Sequence, residues 1–201
     1  MKRLISTIIL AQLTFLNADN YSLSFDGVDD WVEVIDLSQH VVETNTTLMG
    51  WFKSTNDESI DSDHEGIFGF RNYPELDANY FALMNWIGWG EPTIECVYYG
   101  TQANITLTPD DNTWYHIAVA YDKDQSNECL LYLDGSLVAS FSDPGGKLDQ
   151  STNSPVTIGD TDHQSAPFEG LIDEVVVWTV TLTSSQIAAI YNSGNGIGDV
   201  T

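Results

Sequence analysis

Short runs of apolar residues recur along most of the chain, and the clearest lies at residues 115–121. These residues are β-branched, aromatic or small and apolar, which is typical of a strand. Because neither set of alternate positions is plainly polar, we expect both faces of this strand to be covered, as in the middle of a sheet. The polar residues after Tyr121 and the pair Asp134-Gly135 predict two turns, so the segment forms a three-stranded meander that ends near Phe141.

Further runs of the same kind lie on both sides of this meander, with turn-forming residues between them. We predict strands at residues 21–25, 28–34, 46–52, 66–70, 80–86, 93–99, 156–159 and 170–179. A long helical period is absent from the sequence before its end, so the pattern predicts an all-β sandwich or barrel.

The end of the chain carries one helical signal. Thr183 and Gln186 have the spacing of a capping box, in which the two side chains bond free backbone N–H groups of the first turn. Three apolar residues then share one face at helical spacing: Ile187, Ile190 and Tyr191. We predict a short helix that packs against the edge of the sandwich and can end at Gly194.

Carboxylates occupy two places where they need a partner. The segment FDGVDDWVEV packs Asp26, Asp29 and Asp30, here called the acidic corner, into the turn between the first two strands. Like charges this close repel one another, which exposure to water or a shared cation relieves. In the last strand, regular alternation puts Asp173 on the same apolar face as Leu171, Val175 and Val177, where a carboxylate requires a partner.

The net charge argues against some partners. The chain has 30 acidic residues against 6 lysines and arginines, which gives a formal charge of -24. Such a surface repels phosphate groups, so we expect no binding to nucleic acid and no direct binding to anionic lipid. The charge can attract divalent cations, or it can keep an extracellular protein soluble. The scattering of the carboxylates favours solubility as the reason for most of them.

The first residues have the layout of a secretory signal peptide. Lys2 and Arg3 precede an apolar run at residues 4–16 that is short for a membrane span, and Ala18 offers a small residue at a cleavage point. We therefore predict a signal peptide at residues 1–18, a secreted or cell-surface location and one domain over residues 19–201. We expect no direct insertion of that domain into a membrane. An N-terminal anchor that stays attached is the alternative.

The two cysteines, Cys96 and Cys129, each lie in a predicted strand. Export would place them in an oxidising compartment, where a disulfide between them can form. The neighbours that follow Cys96 are apolar, which also fits a free buried thiol. Both alternatives remain open.

Four blocks of sequence carry a family resemblance: FDGVDDWVEV, WYHIAVAYD, LYLDGSLVA and IGDTDHQSAPFEGLIDEVVVWTVTLTSSQIAAIYN. In this order they resemble the laminin-G-like members of the concanavalin A-like lectin and glucanase superfamily, and more distantly pentraxins, over residues 20–193. The resemblance implies a jelly-roll β-sandwich of two antiparallel sheets. It also implies binding of glycans, proteins or other matrix ligands, often with calcium.

The resemblance implies a structural calcium (Ca2+) that ties the first strands to the last. The matching positions are Asp26, Asp29 and Asp173, and carboxylates suit an ion that takes about six to eight oxygen ligands. The alternative is that the turn carboxylates are solvated and that Asp173 caps a backbone N–H. By analogy with pentraxins, a second calcium between two loops would bind the ligand, although loop carboxylates are most often only solvated; its residues would be Asp77, Asn79, Asp160 and Asp162.

Aromatic rings offer a second route to a sugar, because an exposed ring suits the face of a pyranose. Trp86 and Trp89 flank a glycine-rich turn, and we expect this pair to be exposed. Most aromatic residues of a sandwich belong to its core. We therefore assign three tryptophans within or beside strands to packing: Trp51, Trp114 and Trp178.

The pattern of carboxylates argues against catalysis. Residues 75–79 begin like the motif of the superfamily's retaining glucanases, but the second glutamate is absent and the fragment follows Pro74 in a predicted loop. A double displacement needs both carboxylates on one face.

We therefore expect a secreted, non-catalytic module that binds carbohydrate or matrix and holds a structural calcium. The alternatives are a protein-protein adhesion domain of a larger surface protein and a polysaccharide-active enzyme with unfamiliar catalytic residues.

Overall fold

The computed structural model describes residues 21–34, 45–55, 64–70, 81–86, 93–98, 101–106, 113–122, 128–142, 156–160 and 167–192. At residues 64, 70, 81–86, 93–98, 101–106, 128, 141 and 142 it describes the backbone path. Twelve strands and one helix lie within these ranges.

The strands form two antiparallel sheets. In chain order they are β1 (Leu23–Asp26), β2 (Val32–Val34), β3 (Thr46–Ser54), β4 (His64–Phe70), β5 (Phe81–Trp86), β6 (Thr93–Tyr98), β7 (Thr101–Thr106), β8 (Tyr115–Asp122), β9 (Glu128–Leu133), β10 (Ser136–Ser142), β11 (Val156–Ile158) and β12 (Glu169–Trp178), followed by helix α1 (Ser184–Tyr191). The first sheet has the order β1-β12-β3-β8-β9-β10 and the second has the order β2-β11-β4-β5-β6-β7. The predicted two-sheet jelly-roll sandwich with one short C-terminal helix is confirmed.

The strand predicted to lie in the middle of a sheet is β8. It pairs with β3 on one side and with β9 on the other, and residues 115–121 are all buried. Ile117 and Val119 pack into the core between the sheets. Ala118 and Ala120 point to the opposite, outer face, where they pack in one cluster with residues of α1. Because both alanines are small, the helix can lie close to the sheet.

Phe168, just before β12, joins several parts of the inter-sheet core. Its ring centroid lies 6.4 Å from the rings of both Phe25 in β1 and Phe52 in β3, in edge-to-face orientation. Its backbone N–H donates to the Gly159 carbonyl at 2.8 Å, and its own carbonyl accepts from the Gly27 N–H at 3.1 Å. Phe168 therefore ties β1, β3 and the segment after β11 to the start of β12.

The capping box predicted for α1 is present. Thr183 Oγ1 accepts a hydrogen bond from the Gln186 N–H at 3.3 Å, and Gln186 Oε1 accepts one from the Thr183 N–H at 2.9 Å. The helix ends before the predicted Gly194, because Asn192 adopts the left-handed conformation and its N–H donates to the Ala188 carbonyl. Among the described residues, no helix combines the length and the apolar character that crossing a bilayer requires.

The prediction that Asp173 shares an apolar face with Val175 and Val177 is wrong, whereas the regular pairing up to Asp173 keeps it on the same side as Leu171. A β-bulge interrupts the pairing of β12 with β3 between Asp173 and Val176, and Glu174 within it has a φ of 48°. The extra residue reverses the alternation of the strand, so Val175 packs against the inter-sheet core on the same side as Ile172. Asp173 therefore does not belong to that inner face.

Gly170 in β12 lies so close to β3 that a side chain does not fit. Its φ is 149°, and a Cβ placed there would lie 2.2 Å from the carbonyl oxygen of Lys53. Replacing Gly170 with alanine should push the two strands apart and lower the free energy of unfolding by about 1–3 kcal/mol, as overpacking commonly does. Urea denaturation measures the change, and an unchanged midpoint would contradict this account of the contact.

Candidate functional site

The acidic corner forms where β1 ends. Gly27 turns the chain with a φ of 73°, and the Val28 N–H donates to Asp26 Oδ1 at 2.9 Å, which fixes that side chain in the turn. The three carboxylates of the corner are exposed, and one oxygen from each lies within 4.8 Å of the others. The corner therefore presents three converging negative groups that an ion from solvent can reach.

Glu169 lies beside the acidic corner. A Cβ placed at Gly27 would lie 3.0 Å from Glu169 Cβ and 3.6 Å from Glu169 Oε2, so the Glu169 side chain borders the turn. The Glu169 backbone N–H in turn donates to Oε1 of Glu65 at 3.3 Å, and Glu65 is buried in β4 of the second sheet. Glu169 thus adds a fourth carboxylate beside the acidic corner. The carboxylate of Glu65 bonds to the backbone of Glu169.

Asp173 does not belong to this cluster. In the pairing of β1 with β12, Asp26 lies opposite Glu169, which is four residues from Asp173 along the strand. At about 3.4 Å per residue, that corresponds to roughly 14 Å. Asp173 Oδ1 instead accepts a hydrogen bond from the Glu174 N–H at 2.7 Å within the bulge. The structure brings Asp26 and Asp29 together as predicted, but it places Asp30 beside them instead of Asp173.

The proposed second calcium site is described only in part. Asp160 is 3% exposed and forms an isolated bridge with Pro167. A carboxylate buried to that degree does not lie on an open loop surface. The other members of the set, Asp77, Asn79 and Asp162, lie outside the described residues. The pentraxin-like site therefore stays a prediction.

The predicted sugar-stacking pair is also described only in part. Trp86 ends β5, which lies between β4 and β6 in the second sheet. Its backbone path is described, whereas Trp89 lies outside the described residues. The exposure of this pair therefore stays a prediction.

The two cysteines lie in strands of different sheets. Cys129 in β9 of the first sheet is fully buried and points into the inter-sheet core. Cys96 lies in β6 of the second sheet, where the backbone path is described. The disulfide between Cys96 and Cys129 stays a prediction.

The two-sheet antiparallel sandwich is the fold of laminin-G-type domains. The chain belongs to the concanavalin A-like lectin/glucanases superfamily, because a laminin-G family model with that description matches residues 26–188. The resemblance seen in the sequence is therefore confirmed. A comparison with curated proteins gives no significant match.

Solved structures share the fold at low sequence identity. A native heptameric SAP-like pentraxin from Limulus polyphemus aligns with a TM-score of 0.65 and 15% identity over 89% of this chain and 84% of the pentraxin. A CBM40 domain of the Ruminococcus gnavus IT-sialidase, bound to α2,3-sialyllactose, aligns with a TM-score of 0.60 and 15% identity over 85% of this chain and 98% of the domain.

A third similar structure is domain 4 of a GH43 extracellular arabinanase from Geobacillus stearothermophilus in complex with arabinotriose. It aligns with a TM-score of 0.60 and 18% identity, over 84% of this chain and 75% of that domain. At these identities the three structures show that the fold is shared.

Proposed function

We propose that this protein is a secreted, non-catalytic carbohydrate-binding module whose sandwich is stabilised by a calcium ion at the acidic corner. The observation that carries the proposal is the likeness in fold to two domains whose structures contain a bound oligosaccharide, a sialyllactose in one and an arabinotriose in the other. The signal-peptide pattern of residues 1–18 supports an extracellular location, where such ligands occur.

Calcium fits the chemistry of the acidic corner. Three exposed carboxylates with oxygens within 4.8 Å of one another offer the hard oxygen ligands that this ion prefers, and Glu169 borders the same turn. Asp26, Asp29 and Asp30 would hold the ion, which would offset their mutual repulsion. Because the Gly27 N–H in this turn is bonded to the Phe168 carbonyl, an ordered corner also holds β1 against the start of β12.

The ligand surface that we propose lies on the second sheet. β5 is an inner strand of that sheet, and Trp86 at its end leads into the glycine-rich segment that contains Trp89, for which the sequence predicts a turn. Two rings on one such turn can stack on a sugar while nearby amides and carboxylates bond its hydroxyls. The fragment at residues 75–79 lacks the second glutamate of a glucanase, which supports binding without hydrolysis.

A second candidate function is adhesion to another protein. β1 is an edge strand of the first sheet, and three apolar side chains in or beside it are exposed, Tyr21 by 80%, Leu23 by 47% and Val28 by 69%. An edge strand with apolar neighbours can pair with an extended segment of a partner. This candidate predicts binding that does not depend on a sugar.

A glycan array probed with calcium and again with a chelator tests the carbohydrate proposal. We expect binding to one class of glycan, and replacing both Trp86 and Trp89 with alanine should weaken that binding by about five- to 150-fold, if each ring contributes about 0.5–1.5 kcal/mol as an aromatic pair does. Trp114→Ala is the matched control. The Trp114 ring contacts Lys53 of the first sheet, whereas the proposed ligand surface lies on the second sheet. Full affinity in the folded double variant would place the sugar elsewhere, and the absence of glycan binding would favour adhesion.

A further inference from the structure

The helix α1 is attached to the outer face of the first sheet through an aromatic contact. The Tyr191 ring stacks on Trp51 with centroids 5.6 Å apart, and it lies 5.9 Å from the ring of His116. Ile187, on the same face of the helix, is fully buried. A helix of eight residues is not stable by itself in water, so its persistence depends on this docked face.

His116 lies at the centre of the contact. It is 1% exposed, and the Trp51 ring meets it edge-on at 5.2 Å. Its Nδ1 is buried and has no hydrogen-bond partner among the described residues. Burial without a partner disfavours the imidazolium, and it lowers the pKa of His116 to about 4. At neutral pH the docked helix therefore covers a neutral imidazole.

The groups that face His116 do not compensate a positive charge in acid. Trp51 comes from β3 and carries no charge, and Tyr191 from α1 is a neutral phenol in this range. Asp134, in the turn between β9 and β10, uses Oδ1 to accept the backbone N–H of His116 at 2.9 Å. Burial raises the pKa of Asp134, although that hydrogen bond opposes the shift. The Asp134 carboxylate is therefore engaged by a backbone N–H and takes up a proton more readily than an exposed aspartate does.

The segment that leads into α1 is held by contacts that do not titrate in this range. Thr47 Oγ1 donates to the Val180 carbonyl at 3.0 Å and accepts from the Leu182 N–H at 2.9 Å. Thr181 Oγ1 donates to the Tyr121 carbonyl at 2.6 Å. These bonds keep the connection anchored to β3 and β8, so that a change at His116 acts on the helix beyond it.

We propose that α1 is an acid-released clamp: when His116 takes up a proton, the helix detaches and the outer face of the first sheet becomes accessible. The face that is uncovered is apolar and belongs to three strands, with residues Met49, Ala118, Ala120 and Tyr132.

The direction of the pH dependence follows from the two states of His116. In the docked state its pKa is about 4, and a solvent-exposed imidazole titrates near 6.5. Docking is therefore at full strength above about pH 6.5 and weakens as the pH falls from 6.5 to 4, because the detached state binds the proton more tightly. Each pH unit within that window shifts the equilibrium up to about tenfold, or roughly 300-fold over the whole window.

Amide hydrogen exchange measured by NMR between pH 7 and pH 4.5 tests the proposal. After correction for the intrinsic pH dependence of exchange, the protection of the α1 amides should fall with pH by up to about tenfold per unit, while that of the β3 and β8 amides stays constant. In His116→Phe the α1 protection should not depend on pH. His64→Gln, which removes a histidine from β4, is the matched control and should behave as the unaltered protein does.

An equal loss of α1 protection in His116→Phe would overturn the proposal, because the loss would then come from carboxylates. If that variant does not fold, NMR titration of the His116 ring in the unaltered protein tests whether protonation of His116 detaches α1. Titration of the ring together with loss of α1 protection supports the clamp. Titration of the ring while α1 stays protected overturns it.

Discussion

Replacing Phe168 with alanine should lower the free energy of unfolding by about 3–5 kcal/mol. The side chain is fully buried, and its ring meets those of Phe25 and Phe52, which come from two other strands. The backbone bonds of residue 168 to Gly27 and Gly159 remain available in the variant, so the loss reports on the ring alone. Urea denaturation followed by tryptophan fluorescence gives the change directly.

Phe168→Leu is the matched control for this prediction. Leucine keeps most of the buried apolar volume, and swaps that conserve volume usually change stability by less than about 1.5 kcal/mol. A similar loss in both variants would mean that aromatic geometry matters more than volume. A negligible loss in the alanine variant would contradict the position of Phe168 in the core.

Replacing Asp29 and Asp30 with asparagine should abolish the stabilisation of the protein by calcium. If the acidic corner holds the ion, calcium at 100 times its Kd adds about 2.7 kcal/mol to the free energy of unfolding. The variant keeps the Asp26 turn, whose Oδ1 accepts the Val28 N–H, so it should still fold. Because two like charges are removed, its stability in a chelator should equal or exceed that of the unaltered protein.

The variant Asp173→Asn distinguishes a calcium ion bound at the acidic corner from one bound by the set predicted from sequence, which includes Asp173. Asp173 lies four residues along β12 from Glu169, the residue opposite Asp26, and its carboxylate bonds within the bulge. Thermal melts with calcium and with a chelator should therefore show a normal calcium response in this variant. A response lost in Asp173→Asn and retained in the double variant would move the ion site to the bulge.

Local signals in the sequence predicted much of the fold. The run at residues 115–121 has no polar face, and it became β8 in the middle of the first sheet. The spacing of Thr183 and Gln186 located the start of α1, because a capping box depends only on neighbouring residues. The proximity of Asp26 and Asp29 was likewise local, since both lie in one turn.

The structural features that the sequence did not predict depend on strand register. Alternation assigned Asp173 to the inner face, but the bulge at Glu174 reverses the faces and is not visible in the pattern of residues. The approach of Glu169 to the acidic corner follows from the pairing of β1 with β12, which joins distant parts of the chain. In the observed register Phe25 lies opposite Gly170, and this pairing places Glu169 opposite Asp26.

The pairing of β1 with β12 also constrains how the protein folds during synthesis. Leu23 lies opposite Ile172, and within the described part of the chain β1 pairs with β12 and with no other strand. During synthesis, β1 can therefore pair with β12 only after nearly the whole domain has been translated. Contacts between such distant segments form slowly, so Phe25, which is buried in the folded protein, stays uncovered in the nascent chain until β12 has been made.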